Sequence, residues 1–297
     1  MRGHIDLKFG VAAAATGGAG GFQMVARTTD ELIALARRPD AGTIYLASGT
    51  HYEMKGRTIR VTSNKTIIGG VGSTIVQGSV RVEDARNVVL YHFRCLNPVG
   101  DGIVVRNSDL VHISWVTVDG KGGSNNKAGG KQDGAIDIVD SPSSGCRVTI
   151  AYCRVLRWHK AFLIGWSKDT GGTYDDRIRV TIYCCRIRAN RRIPQVNRAR
   201  VQLRSNWIRW RDQCSASYRG ANVWHEKGTI EYQGTKSRPY CGEFKDGGRI
   251  GFSGNTYIDC RWLDKDKEDA KIAKMGAAGM PRQSKAHIKA NAGYQHN

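Results

Sequence analysis

The chain has 297 residues, of which 40% are hydrophobic and 24% are charged, a composition typical of a soluble globular protein that can bury a core. The net charge of +20 predicts an anionic partner, such as a nucleic acid, an anionic polysaccharide, an acidic protein surface or an anionic lipid. The basic residues are spread along most of the chain, which argues against a dedicated DNA-binding arm. The sequence lacks an apolar run of about 18 residues, so we expect no transmembrane helix.

The amino-terminal segment does not predict a secretory signal peptide, because its apolar stretch is short and Asp6 lies within it. We therefore expect non-classical export, or association with a virion, rather than ordinary secretion. The first clear element is a helix over Asp30–Arg37 in TTDELIALARR, with Thr29 or Asp30 as the N-cap and an end before Pro39. It carries apolar residues on one face, as a helix that caps a core does.

After this helix the chain repeats one short strand-like pattern. The segments are KTIIG, NVVLY, LVHIS, RVTIA, RVTIY, RVQLR, GTIEY and RIGFS. Their second residues are Thr66, Val88, Val111, Val148, Val180, Val201, Thr229 and Ile250. The gaps between these positions are 22, 23, 37, 32, 21, 28 and 21 residues. A basal period of this length, lengthened by insertions and rich in β-branched residues, predicts a solenoid of stacked parallel strands.

The same register aligns four further residues, each five positions after the second residue of its strand-like segment, namely Cys153, Cys185, Asn206 and Asn255. In a parallel solenoid such positions stack about 4.8 Å apart, so the asparagines are expected to form a side-chain amide ladder. Two interpretations of Cys153 above Cys185 stay open, a disulfide and a pair of stacked thiols. The eight cysteines, without CxxC spacing or a Cys/His cluster, are otherwise typical of buried reduced thiols.

Two long insertions and one tail interrupt this organisation. GKGGSNNKAGGKQDG and GWSKDTGGTYDD lengthen two of the coils, and long excursions on a rigid solenoid usually build its functional face. From residue 263 onward the pattern is lost and the composition turns polar and lysine-rich. We therefore divide the chain into a solenoid domain over residues 1–262 and an extended basic tail over residues 263–297.

Six short motifs follow one another along the chain, namely TGGAGG, GFQMVARTTDELIALARR, SNKTIIGGVGSTI, DGAIDI, HKAFLIG and RRIP. In sequence and order they resemble the motifs of the pectate lyases, and the resemblance covers roughly residues 17–260. It implies an all-β chain, a right-handed, single-stranded parallel β-helix with an N-terminal capping helix. It also implies calcium-dependent β-elimination of an acidic polysaccharide made of uronates.

The resemblance assigns the candidate site residue by residue. Asp101 in GDGIVV and Asp133 and Asp137 in DGAIDI correspond to the calcium carboxylates, which are the hard oxygen ligands that Ca²⁺ prefers. One further acid of the family falls on Val99 or Gly100, which implies a weaker calcium site or one that the substrate completes.

Two basic residues correspond to the family's catalytic pair, Lys160 in HKAFLIG as a substrate ligand and Arg192 in RIPQVN as the base. A free guanidinium stays protonated far above neutral pH, so a base role requires neighbouring cations such as calcium and Lys160. The motif's second arginine is Asn197 here, and the adjacent Arg198 is expected to replace it.

Arg191 and His159 complete the expected substrate-binding set, although His159 also suits a packing role. The family's VWIDH is VHISW in this chain, with His112 and Trp115, and this difference concerns the substrate more than the fold.

Two functions follow from different classes. The first is calcium-dependent eliminative cleavage of an acidic polysaccharide. The second is a structural β-helix in a larger assembly, such as a phage tail, collar or capsid appendage, with depolymerase or degenerate activity. It rests on the basic charge, the cysteine content, the missing acid and Asn197. The expected partners are therefore an acidic polysaccharide and other subunits of such an assembly, and a membrane is not expected. The aromatic and basic segment RSNWIRWRD predicts a strand and turn of the solenoid, which argues against nucleic-acid binding.

Overall fold

The computed structural model describes residues 9–120, 133–165, 177–235, 242–245 and 248–260, together with positions 286 and 288. Most of the two predicted insertions lies outside the described residues, as does nearly all of the segment 263–297. The division into a solenoid domain and a tail therefore stays a prediction. In the described part of the chain, no helical segment has the length and apolarity that a membrane span requires.

The capping helix α1 spans Thr29–Arg37 and buries Leu32, Leu35 and Ala36 against the first coil. Its N-cap is Thr28 and not Thr29 or Asp30, so that prediction is wrong by one or two residues. Thr28 forms a capping box with Glu31, in which the Thr28 side chain accepts a hydrogen bond from the Glu31 amide at 3.2 Å and the Glu31 carboxylate accepts from the Thr28 amide. Three consecutive polar residues each suit an N-cap, and the position of Glu31 selects the first of them.

Twenty-six strands form three ladders in the described ranges. The first ladder consists of Phe22–Ala26 (β1), Gly42–Leu46 (β2), Lys65–Gly69 (β5), Arg86–Tyr91 (β8), Asp109–Ser114 (β11), Cys146–Ala151 (β14), Ile178–Tyr183 (β16), Arg200–Arg204 (β19), Asn222–Glu226 (β22) and Arg249–Ser253 (β25). The second ladder consists of His51–Glu53 (β3), Thr74–Val76 (β6), Arg94–Leu96 (β9), Thr117–Asp119 (β12), the start of Arg154–Gly165 (β15), Arg186–Arg191 (β17), Trp207–Trp210 (β20), Thr229–Tyr232 (β23) and Thr256–Ile258 (β26). The third ladder consists of Thr58–Val61 (β4), Ser79–Glu83 (β7), Ile103–Arg106 (β10), Gly134–Val139 (β13), the end of β15, Gln195–Asn197 (β18), Ser215–Tyr218 (β21) and Gly242–Lys245 (β24).

The strand pairs within these ladders are parallel, and each strand pairs with strands one coil away in sequence. The chain is thus a right-handed parallel β-helix of about nine turns, as the resemblance implied. The inward-facing residues of the three ladders form one continuous apolar core along the axis. Outward-facing residues stack in straight rows, so side chains far apart in sequence become neighbours on one face.

The predicted register is confirmed in the middle of the chain, where Val88, Val111, Val148, Val180 and Val201 occupy one row. It is also confirmed for Ile250, which pairs with Val223 in this row, and it is wrong for Thr66 and Thr229. Lys65, not Thr66, pairs with Val88. Val223 and not Thr229 follows Val201 in the row, because GTIEY belongs to β23 of the second ladder. The strand that was missed, NVWHE, carries a histidine and a glutamate, and these polar residues obscured the pattern.

The predicted stack of turn residues is present, but it is not a continuous amide ladder. The amide nitrogen of Cys153 donates to Cys185 Sγ at 3.4 Å, and the amide of Cys185 donates to Asn206 Oδ1 at 2.8 Å. Gly228 separates Asn206 from Asn255, and its amide donates to Asn255 Oδ1 at 2.8 Å. Each side chain therefore bonds to the backbone of the neighbouring coil. Both cysteines of the pair are free and buried, which favours stacked thiols over a disulfide.

Candidate functional site

The candidate site lies on the outer face of the third ladder, where strand alternation points side chains away from the core. In β13, Ile136 and Ile138 face the core and are fully buried. Asp137 between them faces outward and lies in one row with Val104 of β10 and Leu163 of β15. Asp137, the second aspartate of DGAIDI, therefore lies on the outer face of the third ladder. The segments that connect the second ladder to the third end where this face begins.

Asp101 and Asp133 flank this row at the start of β10 and β13. Asp101 Oδ1 accepts a hydrogen bond from the Gly134 amide at 2.8 Å, and the Asp133 amide donates to the Gly100 carbonyl at 3.0 Å. These bonds hold the two segments side by side. Burial raises the pKa of Asp101 above its ordinary value, and the nearby charge of Asp133 adds to this effect.

Asp137 is the most buried of the three acids, with 9% of its surface exposed. Its Oδ1 accepts a hydrogen bond from the Leu163 amide at 3.2 Å. Burial, followed by the negative charge of Asp101, raises the pKa of Asp137 to about 8. Gly134 is required beside it, because a Cβ at this position would lie 2.1 Å from Asp137 Oδ1. The missing side chain at this position thus leaves room for a carboxylate that is shielded from water. A bound cation would stabilise the charged form of this carboxylate.

Lys160 of β15 forms an ion pair with Asp133. The lysine side chain is 19% exposed and the aspartate side chain 59% exposed, so the pair lies at the entrance of the site. Lys160 lies beside Gly134 across β13 and beside Arg191 across β17. It also lies near enough to Asp101 for its charge to oppose the rise in the pKa of that carboxyl.

Arg192 follows β17 directly, and its backbone has a φ of 58°, in the left-handed region. Its carbonyl accepts a hydrogen bond from the Phe162 amide at 2.9 Å, which holds the turn against β15. The next peptide bond but one, Ile193–Pro194, is cis. The charge of Arg192 reaches Asp137, where it acts against the rise in pKa. The structure therefore brings together the five residues Asp101, Asp133, Asp137, Lys160 and Arg192.

His159 and Arg191 lie at the side of this cluster. His159 Nδ1 and Asn190 Nδ2 are 3.4 Å apart. The Asn190 carbonyl accepts hydrogen bonds from three successive amides, of Arg211, Asp212 and Gln213. Burial and then the charge of Arg191 lower the pKa of His159, which favours a neutral imidazole. His159 is thus available as an uncharged hydrogen-bonding group next to the basic residues.

Asn197 and Arg198 lie at the end of β18, on the next coil of the third ladder. Asn197 is paired with Gly165 on one side and with Tyr218 on the other, and it is 6% exposed. Arg198 follows it with a φ of 53° and is 8% exposed. Both residues are therefore largely buried, whereas the predicted role of Arg198 requires a side chain that a sugar can reach.

His112 and Trp115 lie elsewhere. His112 is buried on the first ladder, where its ring packs edge-on against Phe9 at 5.3 Å. Trp115 stacks on Tyr152 at 4.9 Å in the turn after that ladder. The difference VHISW therefore concerns the packing of an amino-terminal segment and not this site.

The predicted calcium ligands have the chemistry of a calcium site, but their carboxylates are not gathered around one point. Among the residues with described coordinates, no group of three acidic, histidine or cysteine side chains is near enough to share one metal ion. Asp101 and Asp137 supply two carboxylates with raised pKa values, while Lys160 holds Asp133. Val99 and Gly100 add no carboxylate, and Val99 is exposed. A cation here would require Asp133 to leave Lys160, or an oxygen from a ligand.

Sequence reasoning missed three participants of this site. Arg81 of β7 lies near Asp101, and its charge opposes the rise in the pKa of that carboxyl. Its signal was its place in SVRVE, two strands before Asp137 in the same outward row. Gly134 and Asn190 act through steric room and backbone carbonyl geometry, and neither leaves a pattern in a single sequence.

A sequence model of the pectate lyase family matches residues 25–209, more than half of the chain. A pectate trisaccharide-lyase of Thermotoga maritima is 31% identical over 163 residues, which cover 51% of this chain and 40% of that protein. The corresponding enzyme of another Thermotoga strain is 30% identical with the same coverage. The matched region is thus less than half the length of these relatives.

Solved structures share the fold over nearly the whole chain. A mutant of the Bacillus subtilis pectate lyase superposes with a TM-score of 0.79 at 12% identity, covering 99% of this chain and 100% of that one. Jun a 1, the major allergen of cedar pollen, gives 0.79 at 16% identity, covering 97% and 92%. A Bacillus pectate lyase in complex with trigalacturonate gives 0.71 at 17% identity, covering 96% and 98%. At these identities the superpositions show the fold, and the family match adds the sequence relationship: the chain belongs to the pectate lyase family.

Proposed function

We propose that this protein cleaves an acidic, uronate-containing polysaccharide by calcium-dependent β-elimination. The observation that supports the proposal is the meeting of Asp101, Asp133 and Asp137 with Lys160 and Arg192 on one outward face. Family membership and a relative solved with trigalacturonate support the same class of substrate. Calcium and the residue roles below belong to the proposal.

Asp101 and Asp137 would hold the cation, together with Asp133 once a substrate carboxylate takes its place beside Lys160. When bound, calcium supplies positive charge that acidifies the proton next to the substrate carboxylate and stabilises the enolate-like charge. Carboxylates whose pKa values are raised by burial and mutual repulsion are the groups that gain most from a cation. Because no fourth acid is present at Val99 or Gly100, a substrate oxygen would complete the coordination.

Lys160 would bind the uronate carboxylate, and Arg192 would remove the proton on the carbon next to it. The electrons of that C–H bond form the new carbon–carbon double bond, and the bond to the glycosidic oxygen breaks. The oxygen leaves with its electron pair and takes a proton from water. An arginine side chain acts as a base only in its neutral guanidine form, which neighbouring positive charge favours, and Arg191 and Lys160 are the basic residues nearby. Arg191, Arg198 and His159 would hold neighbouring sugars, Arg198 only after its side chain moves out of its buried position.

The experiment is an assay of the purified protein on polygalacturonate with calcium or with EDTA, following unsaturated products by their ultraviolet absorbance. We expect product only with calcium, and we expect Arg192→Ala to lower kcat by at least about 100-fold, as loss of a general base does. Arg37→Ala, an exposed change on the capping helix, is the matched control and should leave the rate unchanged.

Alginate and bacterial capsular uronates are tested in parallel, because the proposal names the class of polymer and not the particular uronic acid. Failure to cleave any of these polymers with calcium present would refute the enzymatic proposal. It would favour the alternative, a structural β-helix within a larger assembly such as a virion.

A further inference from the structure

We propose that the outer face of the second ladder is a further binding surface for an acidic polysaccharide, separate from the candidate site on the third ladder. The surface consists of Arg154, Arg186, Arg188 and Arg209 and is called the arginine face below. Its ligand class rests on the proposed function. The surface itself requires neither calcium nor the three acids Asp101, Asp133 and Asp137.

The register places these arginines in two adjacent outward rows. Arg154 of β15 pairs with Arg186 of β17, and Arg186 pairs with Trp207 of β20. Arg188 of β17 pairs with Arg209 of β20. Parallel strands lie about 4.8 Å apart without a stagger along the row, so the guanidinium groups follow the axis of the helix. Residues between them, such as Ile187 and Ile208, face the core.

The positive charges of neighbouring arginines on this face repel one another. Burial and then the charges of Arg209 and Arg188 lower the pKa of Arg186. The Nε of Arg186 is buried and makes no hydrogen bond with the described part of the chain. Burial and the charge of Arg186 likewise lower the pKa of Arg154. Such mutual repulsion is relieved by a bound anion.

One acid of the neighbouring coil, Glu231, neutralises one arginine of this face. Glu231 forms an ion pair with Arg209 at 3.0 Å and accepts a hydrogen bond from the Trp207 indole at 3.2 Å. Within the described ranges, neither Arg186 nor Arg188 forms an ion pair, and Arg188 is exposed. The face therefore keeps a positive charge that a polyanion would complement.

The shape of the face favours a linear polyuronate. A row of arginines at a fixed spacing can bind successive carboxylates of one polymer, and guanidinium groups bind carboxylates with two hydrogen bonds. Single-stranded nucleic acids additionally need exposed aromatic rings on which bases stack. Trp207 does not offer one, because it is 3% exposed and lies between the guanidinium groups of Arg186 at 4.8 Å and Arg209 at 4.4 Å.

The test measures binding of fluorescein-labelled polygalacturonate in EDTA and at low salt, with every chain carrying Arg192→Ala so that no cleavage occurs. The double variant Arg186→Gln with Arg188→Gln should bind about tenfold more weakly, the loss expected for one half-buried and one exposed charge contact. The control, Arg27→Gln with Arg37→Gln, removes the same charge from exposed positions near the capping helix and should change binding by less than about twofold.

Equal binding by the two double variants would overturn the proposal. An equal loss of affinity for single-stranded DNA would overturn the assignment to polysaccharide in favour of polyanions in general. In chains with Arg192 intact, turnover of a short oligouronate should stay unchanged in the double variant, and a loss would show that the face belongs to the candidate site on the third ladder. Arg188→Gln alone, at an exposed position, serves if the double variant fails to fold. The two proposals can fail separately. If the wild-type chain shows no lyase activity but binds the polymer through the arginine face, the proposed function is refuted and the binding surface is supported.

Discussion

The replacement Gly134→Ala tests whether the position of the buried Asp137 carboxylate depends on the absence of a side chain at Gly134. The added methyl group would lie 2.1 Å from Asp137 Oδ1, whereas real Cβ contacts essentially never fall below 3.0 Å. The carboxylate must therefore move by about 1 Å or adopt another rotamer, and overpacking of this kind costs about 1–3 kcal/mol. A displacement of about 1 Å at a reacting centre lowers the rate by about 100-fold. We expect losses of both stability and activity.

The measurements are chemical denaturation, calcium titration by calorimetry and turnover of polygalacturonate. Gly242→Ala on the same ladder is the matched control, because the nearest atoms to its new Cβ lie 3.6 Å away, at an ordinary contact distance. We expect weaker calcium binding and slower turnover in Gly134→Ala than in this control. Wild-type calcium affinity and kcat in Gly134→Ala would show that the geometry of Asp137 does not control the site.

Two further predictions concern buried polar groups of the turns and of β22. Burial lowers the pKa of His225 to about 3, and its Nε2 lies 2.6 Å from Ser215 Oγ. Below pH about 6.5 the unfolded chain therefore binds a proton at His225 that the folded chain does not bind, so the free energy of unfolding falls as the pH falls. In His225→Gln the dependence of the unfolding free energy on pH between about 6 and 4 should be weaker by up to about 1.4 kcal/mol per pH unit. An unchanged pH dependence would contradict this. Asn206→Ala should cost about 3 kcal/mol in urea denaturation, because it leaves a buried amide and a buried carbonyl without partners. Asn255→Ala, at a half-buried position of the same stack, should cost clearly less, and equal costs would count against the stacking argument.

The fold could be predicted from the sequence because the solenoid repeats one simple requirement. A row such as Val111, Val148 and Val180 must fill the same space in successive coils, so apolar β-branched residues recur at the period of the coil. The apolar pattern does not reveal a strand where a polar residue occupies the row and forms its hydrogen bonds inside the protein. Lys65 is fully buried in this row, and its ammonium group bonds to the carbonyls of Asp40 and Ser63. Such local compensation is not visible in a single sequence.

The site could be predicted less completely, and the limits have physical causes. The resemblance named Asp137, Lys160 and Arg192, and the ladder register explains why they meet. It did not reveal that Lys160 already holds Asp133, because an ion pair depends on rotamers and not on spacing. Nor did it reveal the burial of Arg198, whose backbone leaves the strand in a left-handed turn.

The strand β15 runs through the second and third ladders from Arg154 to Gly165 without a connecting loop. Two other described coils join the same two ladders through connecting segments, 97–102 between β9 and β10 and 211–214 between β20 and β21. Among the coils whose links are described, the coil that carries Lys160 is thus the one that joins these ladders by a continuous strand. A polymer that binds across this continuous strand would not have to enter by one of its ends. We therefore expect an endo-acting pattern, in which the average polymer length drops early while few new ends have formed.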